Sequence, residues 1–333
     1  MSSAPSPTIP SIDISLFAAG DPSEKAEVAV AIDEACRKLG FLIVTGHGVP
    51  PELVAEMRAV TMDFFDLTNA RKRAYAMRGS DGYRGYTVPG SESLAASYGV
   101  ESRPDVKESF SIGPVEVPAD DYHAAGGTFF APNRWPNELP AFRDVWSRYY
   151  AAMEDLAGIL MRAFALTLGL PEEFFDRKVD RHITNFSAIH YPPPEQDALP
   201  GELRGGAHTD FGSLTILQRD DAPGGLEVMV GGEWITAPHV PDSFTINIGD
   251  LMAEWTNDRW VSTIHRVALP KELGSAESER LSLVFFHQPN YDAIIEVLPT
   301  CRAADDPPKY DAITSGGHIA KKLAAMQLTA SVR

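Results

Sequence analysis

Two periodicities divide the chain. Up to about residue 180 the apolar positions recur every three or four residues; beyond it they alternate or gather in short runs. Ile9-Pro10-Ser11-Ile12-Asp13-Ile14 reads as a short opening strand. Val28, Ile32, Ala35, Cys36 and Leu39 then share one helical face, which makes Cys36 a packed thiol. Asp21 is placed to cap that helix, Pro22 to start it, Glu24 to close a capping box and Gly40 to end it. Phe41-Leu42-Ile43-Val44 is a buried strand, followed by the turn Gly46-His47-Gly48, whose histidine is read as a backbone anchor. Leu53, Met57, Val60 and Phe64 mark a second helix. A long third helix over 141–168 buries Phe142, Val145, Trp146, Tyr149, Met153, Leu156, Leu160 and Phe164, and stops at Gly169. Between these two, residues 80–134 are rich in Gly, Pro and Ser and read as irregular surface structure at the mouth of a site.

After Asp180 the candidate strands are 185–191, 208–217, 226–230, 233–236, 243–248, 263–268, 280–287 and 293–297. Pro192-Pro193-Pro194, Pro223-Gly224-Gly225, Gly231-Gly232 and Gly249-Asp250 separate them, and 254–258 reads as a further turn. Short strands at this spacing, with few crossover helices, predict a two-sheet jelly roll. The fold class is thus α+β with a mainly β core, the N-terminal helices packed around it as one unit. Its parts are a helical and irregular region over 1–180, the β core over 181–300, and a tail over 301–333 whose helix at 316–328 closes over the core.

Composition narrows the partners. Lys+Arg 29 against Asp+Glu 46 gives a net charge of −17, which speaks against a nucleic-acid or anionic-membrane partner. Two distant cysteines with no CxxC suit a reducing compartment. No signal pattern opens the chain and no apolar run reaches membrane-spanning length, so a cytoplasmic protein is expected. Oligomeric state is not legible.

The candidate chemistry begins at His208-Thr209-Asp210. On one strand, residues two apart point to the same face, so His208 and Asp210 are read as two ligands gripping one metal ion. His265, in the later apolar run Ser262-Thr263-Ile264-His265-Arg266-Val267, is the third. Two imidazoles and a carboxylate with open positions suit non-haem Fe(II), although zinc takes the same set. Arg280 and Ser282 share a face, and a guanidinium with a nearby hydroxyl grips a carboxylate; Tyr191 is a further donor. A zinc hydrolase has no need of such a clamp, whereas an oxygenase with a dicarboxylic co-substrate does.

Taken in order, these residues resemble the Fe(II)/2-oxoglutarate-dependent dioxygenases of the isopenicillin N synthase-like branch. The matching positions are Ile9-Pro10-x-Ile12-Asp13, Gly40-Phe41, Gly46-His47-Gly48, Arg84-Gly85-Tyr86, Lys107-Glu108, His190-Tyr191-Pro192, His208-Thr209-Asp210, Gly249-Asp250, Thr263-x-His265-Arg266-Val267 and Arg280-x-Ser282. The resemblance implies a double-stranded β-helix with Fe(II) on His208, Asp210 and His265. It also implies 2-oxoglutarate as co-substrate, its far carboxylate on Arg280, Ser282 and Tyr191, and O2 as oxidant. Succinate and CO2 would be the co-products. Hydroxylation of a small molecule is the usual outcome, with ring closure or desaturation as variants, and the family's habits point to specialised metabolism such as antibiotic biosynthesis. Halogenating relatives replace the carboxylate, so Asp210 argues against halogenation. Some relatives carry a basic residue where Ser187 stands, so that anchor is missing here. Asn185, Ser187, Phe211, Phe286, His287, Tyr83 and Arg84 are the candidate substrate contacts. His182, His190, His239, His287 and His318 lack the spacing of a second metal site. The rival readings are an iron oxidase of this fold without 2-oxoglutarate, an ethylene-forming enzyme, and a non-enzymatic jelly-roll binding module.

Overall fold

Residues 8–78, 83–90, 107–193, 203–270 and 276–331 are described by the structure, a computed structural model. The first strands lie in the N-terminal half: β1 (Ser11–Asp13), β2 (Phe41–Thr45), β3 (Gly85–Thr87) and β4 (Glu108–Ile112). The second half adds β5 (Asn185–Tyr191), β6 (Gly205–His208), β7 (Leu214–Arg219), β8 (Gly225–Val230), β9 (Glu233–Thr236), β10 (Phe244–Ile248), β11 (His265–Ala268) and β12 (Arg280–His287). An eight-stranded sheet runs β1-β2-β10-β7-β12-β5-β4-β3, and a four-stranded sheet runs β6-β11-β8-β9. This is the two-sheet jelly roll expected from the strand spacing.

Alternation gives the larger sheet two apolar jobs. On its outer face Leu42, Ile216, Ile246, Leu283, Phe285, Phe186 and Phe110 pack into one core with the helix Phe142–Thr167. Trp146 of that helix is fully buried and stacks on Phe142, with ring centroids 4.7 Å apart. On its inner face Phe41, Ile43 and Leu217 meet Leu226 and Val228 of the smaller sheet in a separate, smaller core. That inter-sheet core borders the site: the Phe41 ring meets the His265 imidazole edge-on, centroids 5.3 Å apart, and Val228 pairs with His265 across β8 and β11.

The helix Pro22–Lys38 starts as expected: the Asp21 side chain accepts from the Ser23 and Glu24 amides, and Glu24 accepts from the Asp21 amide. His47 is a backbone anchor, its ring nitrogens bonded to Asp242 O at 3.0 Å and to the Val49 amide at 3.1 Å. The tail forms the helix Ser315–Ser331.

Three expectations need correction. The run 208–217 is not one strand: β6 ends at His208 in the smaller sheet and β7 begins at Leu214 in the larger one. Gly212, where a Cβ would stand 2.6 Å from His287 O, lies in the tight passage between them. The stretch 80–134 is not all irregular surface, because β3 and β4 are buried strands at the end of the larger sheet. Half of that sheet's strands therefore precede residue 180, so the 1–180 region supplies strands to the β core as well as the helices packed around it. The 254–258 turn is shorter than expected: Glu254 and Trp255 end the helix Asp250–Trp255, and the turn itself is 256–258, with Asn257 and Asp258 at positive φ.

Beneath β4 lies a buried ion network. Lys72 Nζ donates to Glu108 Oε2 at 2.7 Å and to Phe65 O at 2.9 Å, while Tyr86 and His190 bond the same carboxylate at 2.5 and 2.8 Å. Burial alone would raise the Glu108 carboxyl, but the bonds from His190, Lys72 and Tyr86 hold it below its ordinary value. The sign follows: this contribution is complete above the unfolded carboxyl pKa of about 4.3 and fades as pH falls through the lower folded value. Glu108→Gln leaves Lys72 buried without its counter-charge, so about 3–5 kcal/mol of stability should be lost at neutral pH. Urea unfolding of the two proteins checks this, and an unchanged midpoint would show that the network contributes nothing.

Candidate metal and co-substrate site

His208 and His265 face each other because β6 pairs antiparallel with β11, with these two residues in register. Their ring centroids are 4.4 Å apart. Asp210 comes from the loop after β6, not from the strand, and that loop is pinned by the Asp250 amide, which donates to Asp210 O at 2.7 Å. Asp210 Oδ1 lies 3.7 Å from His208 Nε2 and 3.8 Å from His265 Nε2. The three ligand atoms sit within 4.8 Å of one another, and this is the one such group of three among the described residues.

The other atoms of these side chains are already used. His208 Nδ1 meets Gly206 O at 2.8 Å and His265 Nδ1 meets Thr263 O at 3.0 Å. A carbonyl only accepts, so both rings carry their proton on Nδ1 and turn an Nε2 lone pair to the centre. Burial, then the neighbouring His265, pushes the His208 imidazole down to about 4. Burial would raise the Asp210 carboxyl, but His265, His208 and bonds from Asn247 and Thr215 hold it below its ordinary value. Those bonds run to Oδ2, at 2.7 Å from Asn247 Nδ2 and 2.6 Å from Thr215 Oγ1, leaving Oδ1 for the centre. Asn247 and Thr215 were not singled out in the sequence. The available signal was alternation, since each is polar between apolar neighbours on a buried strand.

The same inner face carries the residues expected to form a carboxylate clamp. Arg280 pairs with Tyr191 across β12 and β5, and Ser282 pairs with Ile189 on one side and Arg219 on the other. Arg280 is 2% exposed. Its Nη1 donates to Asp220 O at 2.9 Å, and Nη2 donates to Ala222 O and to Gly224 O. Gly225 makes room for it: at φ +111, its Cβ would stand 2.5 Å from Nη2. Arg204 and Arg219 are buried nearby, and burial together with the Arg280 charge pushes each guanidinium down to about 10. Nε of all three arginines, and Nη1 of Arg204, meet no hydrogen-bond partner among the described residues. Buried donors and positive charge in one place suit a carboxylate ligand. Arg204 and Arg219 were also missed in the sequence, where they stand among loop-like residues.

Of the candidate substrate contacts, Asn185, Ser187 and Phe286 share the inner face with Arg280, Ser282 and Tyr191. Phe211 follows Asp210 and is partly exposed, with Lys322 Nζ 5.7 Å from its ring centroid. Tyr83 is partly exposed with φ 62, and Arg84 lies buried behind Asn185, to which it donates at 3.1 Å. His287 is placed otherwise. Alternation turns it to the outer face, where it is 2% exposed and bonds Ser213 Oγ at 2.8 Å, so it is no wall of the site.

Comparison with known proteins decides the family. The model for the N-terminal region of the non-haem dioxygenase in morphine synthesis matches residues 9–138, and the model for the 2OG-Fe(II) oxygenase superfamily matches residues 182–289. The chain belongs to the 2OG-Fe(II) oxygenase superfamily. It is 34% identical over 297 residues to validamycin A dioxygenase of Streptomyces hygroscopicus subsp. limoneus, covering 88% of this oxygenase and 79% of that protein. It is also 34% identical over 330 residues to a homoarginine-6-hydroxylase of Glycine max, covering 95% and 96%. Among solved structures, a full-length Neurospora crassa protein in complex with alpha-KG superposes with TM-score 0.84 at 32% identity, covering 95% of this oxygenase and 96% of that chain. The same protein is also known with alpha-KG and thymine together. This oxygenase is therefore an Fe(II)- and 2-oxoglutarate-dependent dioxygenase acting on a small molecule. Among its described residues no helix is long and apolar enough to cross a membrane.

Proposed function

We propose that His208, Asp210 and His265 hold the Fe(II), and that Arg280, Ser282 and Tyr191 take the far carboxylate of 2-oxoglutarate. The observation that carries the first assignment is the divided use of Asp210. Asn247 and Thr215 hold Oδ2, while Oδ1 stands equally far from two imidazoles whose Nδ1 atoms are already bonded. Iron with 2-oxoglutarate supplies the chemistry, reducing O2 while forming succinate and CO2 and oxidising a substrate C–H bond. The chain's part is to orient the two ligands, keep water out and place one C–H bond. Phe286, Phe211, Asn185, Ser187 and Tyr83 form the substrate wall in this reading, with Arg84 behind them. A hydroxylation in specialised metabolism fits the validamycin relative, and a cytoplasmic setting fits the two free, buried cysteines. The alpha-KG complexes of the Neurospora crassa protein favour 2-oxoglutarate over the oxidase that does without it.

The test is anaerobic: add Fe(II), then 2-oxoglutarate, and record the visible spectrum. A weak charge-transfer band is expected on the second addition. Bound iron with no band would sink the 2-oxoglutarate assignment, and no bound iron would sink the metal assignment.

A further inference from the structure

We infer that Arg84 locks the Asn185 amide with one N–H facing the cavity before the metal centre, so that the enzyme selects substrates presenting a carbonyl or carboxylate oxygen there. This rests on the site proposed above. Asn185 ends an inner-face row running Asn247, Thr215, Phe286, Asn185 across four paired strands. Thr215 and Asn247 hold Asp210, and Asn185 lies two strands beyond Thr215, at about 10 Å from the spacing of strands. A small molecule lying across Phe286 spans that gap.

The amide's orientation follows from its partners. A guanidinium only donates, so the atom facing Arg84 Nη1 at 3.1 Å is the Asn185 oxygen. Nδ2 then lies on the other side and gives one hydrogen to Ser187 Oγ at 3.0 Å. Ser187 in turn shares a hydrogen with Ser111 Oγ at 2.7 Å. The second hydrogen of Nδ2 meets no acceptor among the described residues, and Asn185 is partly exposed. The wall therefore offers a donor, with a buried positive charge behind it, and favours an oxygen acceptor over an ammonium or guanidinium group.

Arg84 is held for this purpose by several independent devices. Its Nη2 donates to Phe129 O at 2.8 Å. A Cβ at Gly113 would stand 1.9 Å from that same Nη2, so only glycine leaves the guanidinium its place. Gly113 is fixed by Asn133, which accepts from its amide at 2.8 Å and donates to its carbonyl at 3.1 Å. Tyr83, just before Arg84, adopts φ 62, a left-handed conformation that a bulky residue keeps only when its surroundings impose it. Arg84 is thus a positioning residue, acting through Asn185.

The test uses the full chain with isotope-labelled asparagine, loaded with redox-inert Zn(II) and 2-oxoglutarate and titrated with N-methylacetamide. The Asn185 side-chain N–H signals are assigned by their loss in Asn185→Asp. They should shift saturably with N-methylacetamide and not with ethylammonium. Arg84→Met should weaken N-methylacetamide at least tenfold. Should that variant not fold, Ser187→Ala, which removes the second anchor of the amide, should weaken it at least threefold. Signals that stay still in the wild type, that respond equally to ethylammonium, or that titrate unchanged in the folded variants would overturn the inference. Zn(II) or 2-oxoglutarate failing to bind would instead count against the proposed site, and the titration can be run without either.

Discussion

Asp210→Ala should fold and yet fail to hold stoichiometric Fe(II). The carboxylate is 5% exposed and lies between two imidazoles that are already turned towards it. Its removal takes away the anionic ligand and leaves two uncharged rings, their centroids 4.4 Å apart, to carry a divalent ion alone. Supporting groups around metal ligands are worth about 10–100-fold in affinity, so loss of a ligand itself should exceed about 100-fold. Asn247→Ala supplies the internal scale. It removes one bond to Oδ2 and keeps all three ligands, so about a 10–100-fold loss is expected. His265→Ala should resemble Asp210→Ala, since its Nε2 faces the same oxygen. Chelator competition measures the affinities and thermal melting confirms folding. A folded Asp210→Ala protein that retains one iron per chain would remove Asp210 from the metal site.

The contrast between helices and site shows what a sequence carries. The helix Pro22–Lys38 was legible to its ends because both its stripe and its caps are local signals. β4 was not. Glu108, Phe110 and Ile112 face the helices while Ser109 and Ser111 face the inner side of the sheet, so its polar residues are buried and not turned to solvent. Such a strand has the composition of a loop. His208 and Asp210 were identified on a wrong premise, a shared strand face. Their proximity comes from the chain crossing between two sheets and from the Asp250 amide holding the loop. Nothing in the spacing of His265 fixes its register against His208; the β6–β11 pairing does, and that is a long-range choice. The second layer, Asn247, Thr215, Arg204 and Arg219, was invisible for the same reason. Each residue is ordinary alone and acquires a role only from what the fold sets beside it. The Arg280, Ser282 and Tyr191 group was easier, because two of its members share one strand and alternation places them.

Arg280→Met should weaken 2-oxoglutarate by a large factor while leaving Fe(II) affinity, measured without the co-substrate, within about twofold. Truncating one member of a buried, hydrogen-bonded charge pair costs about 2–5 kcal/mol, which is about a 30- to several-thousand-fold rise in Kd. Arg280→Lys should not rescue it. The guanidinium is held by the carbonyls of Asp220, Ala222 and Gly224 and fits beside a residue with no Cβ, and an ammonium cannot span those partners with the same reach. Losing those carbonyl bonds also disturbs the loop after β7, so a second variant separates the two effects. Ser282→Ala leaves every Arg280 bond in place and removes one hydroxyl from the same face, which should raise Kd by about two- to tenfold. The charge-transfer band, titrated anaerobically, reads both. Equal loss of iron and 2-oxoglutarate in Arg280→Met would show that the arginine supports the fold of the site and does not hold the co-substrate. An unchanged Ser282→Ala protein would confine the clamp to the guanidinium.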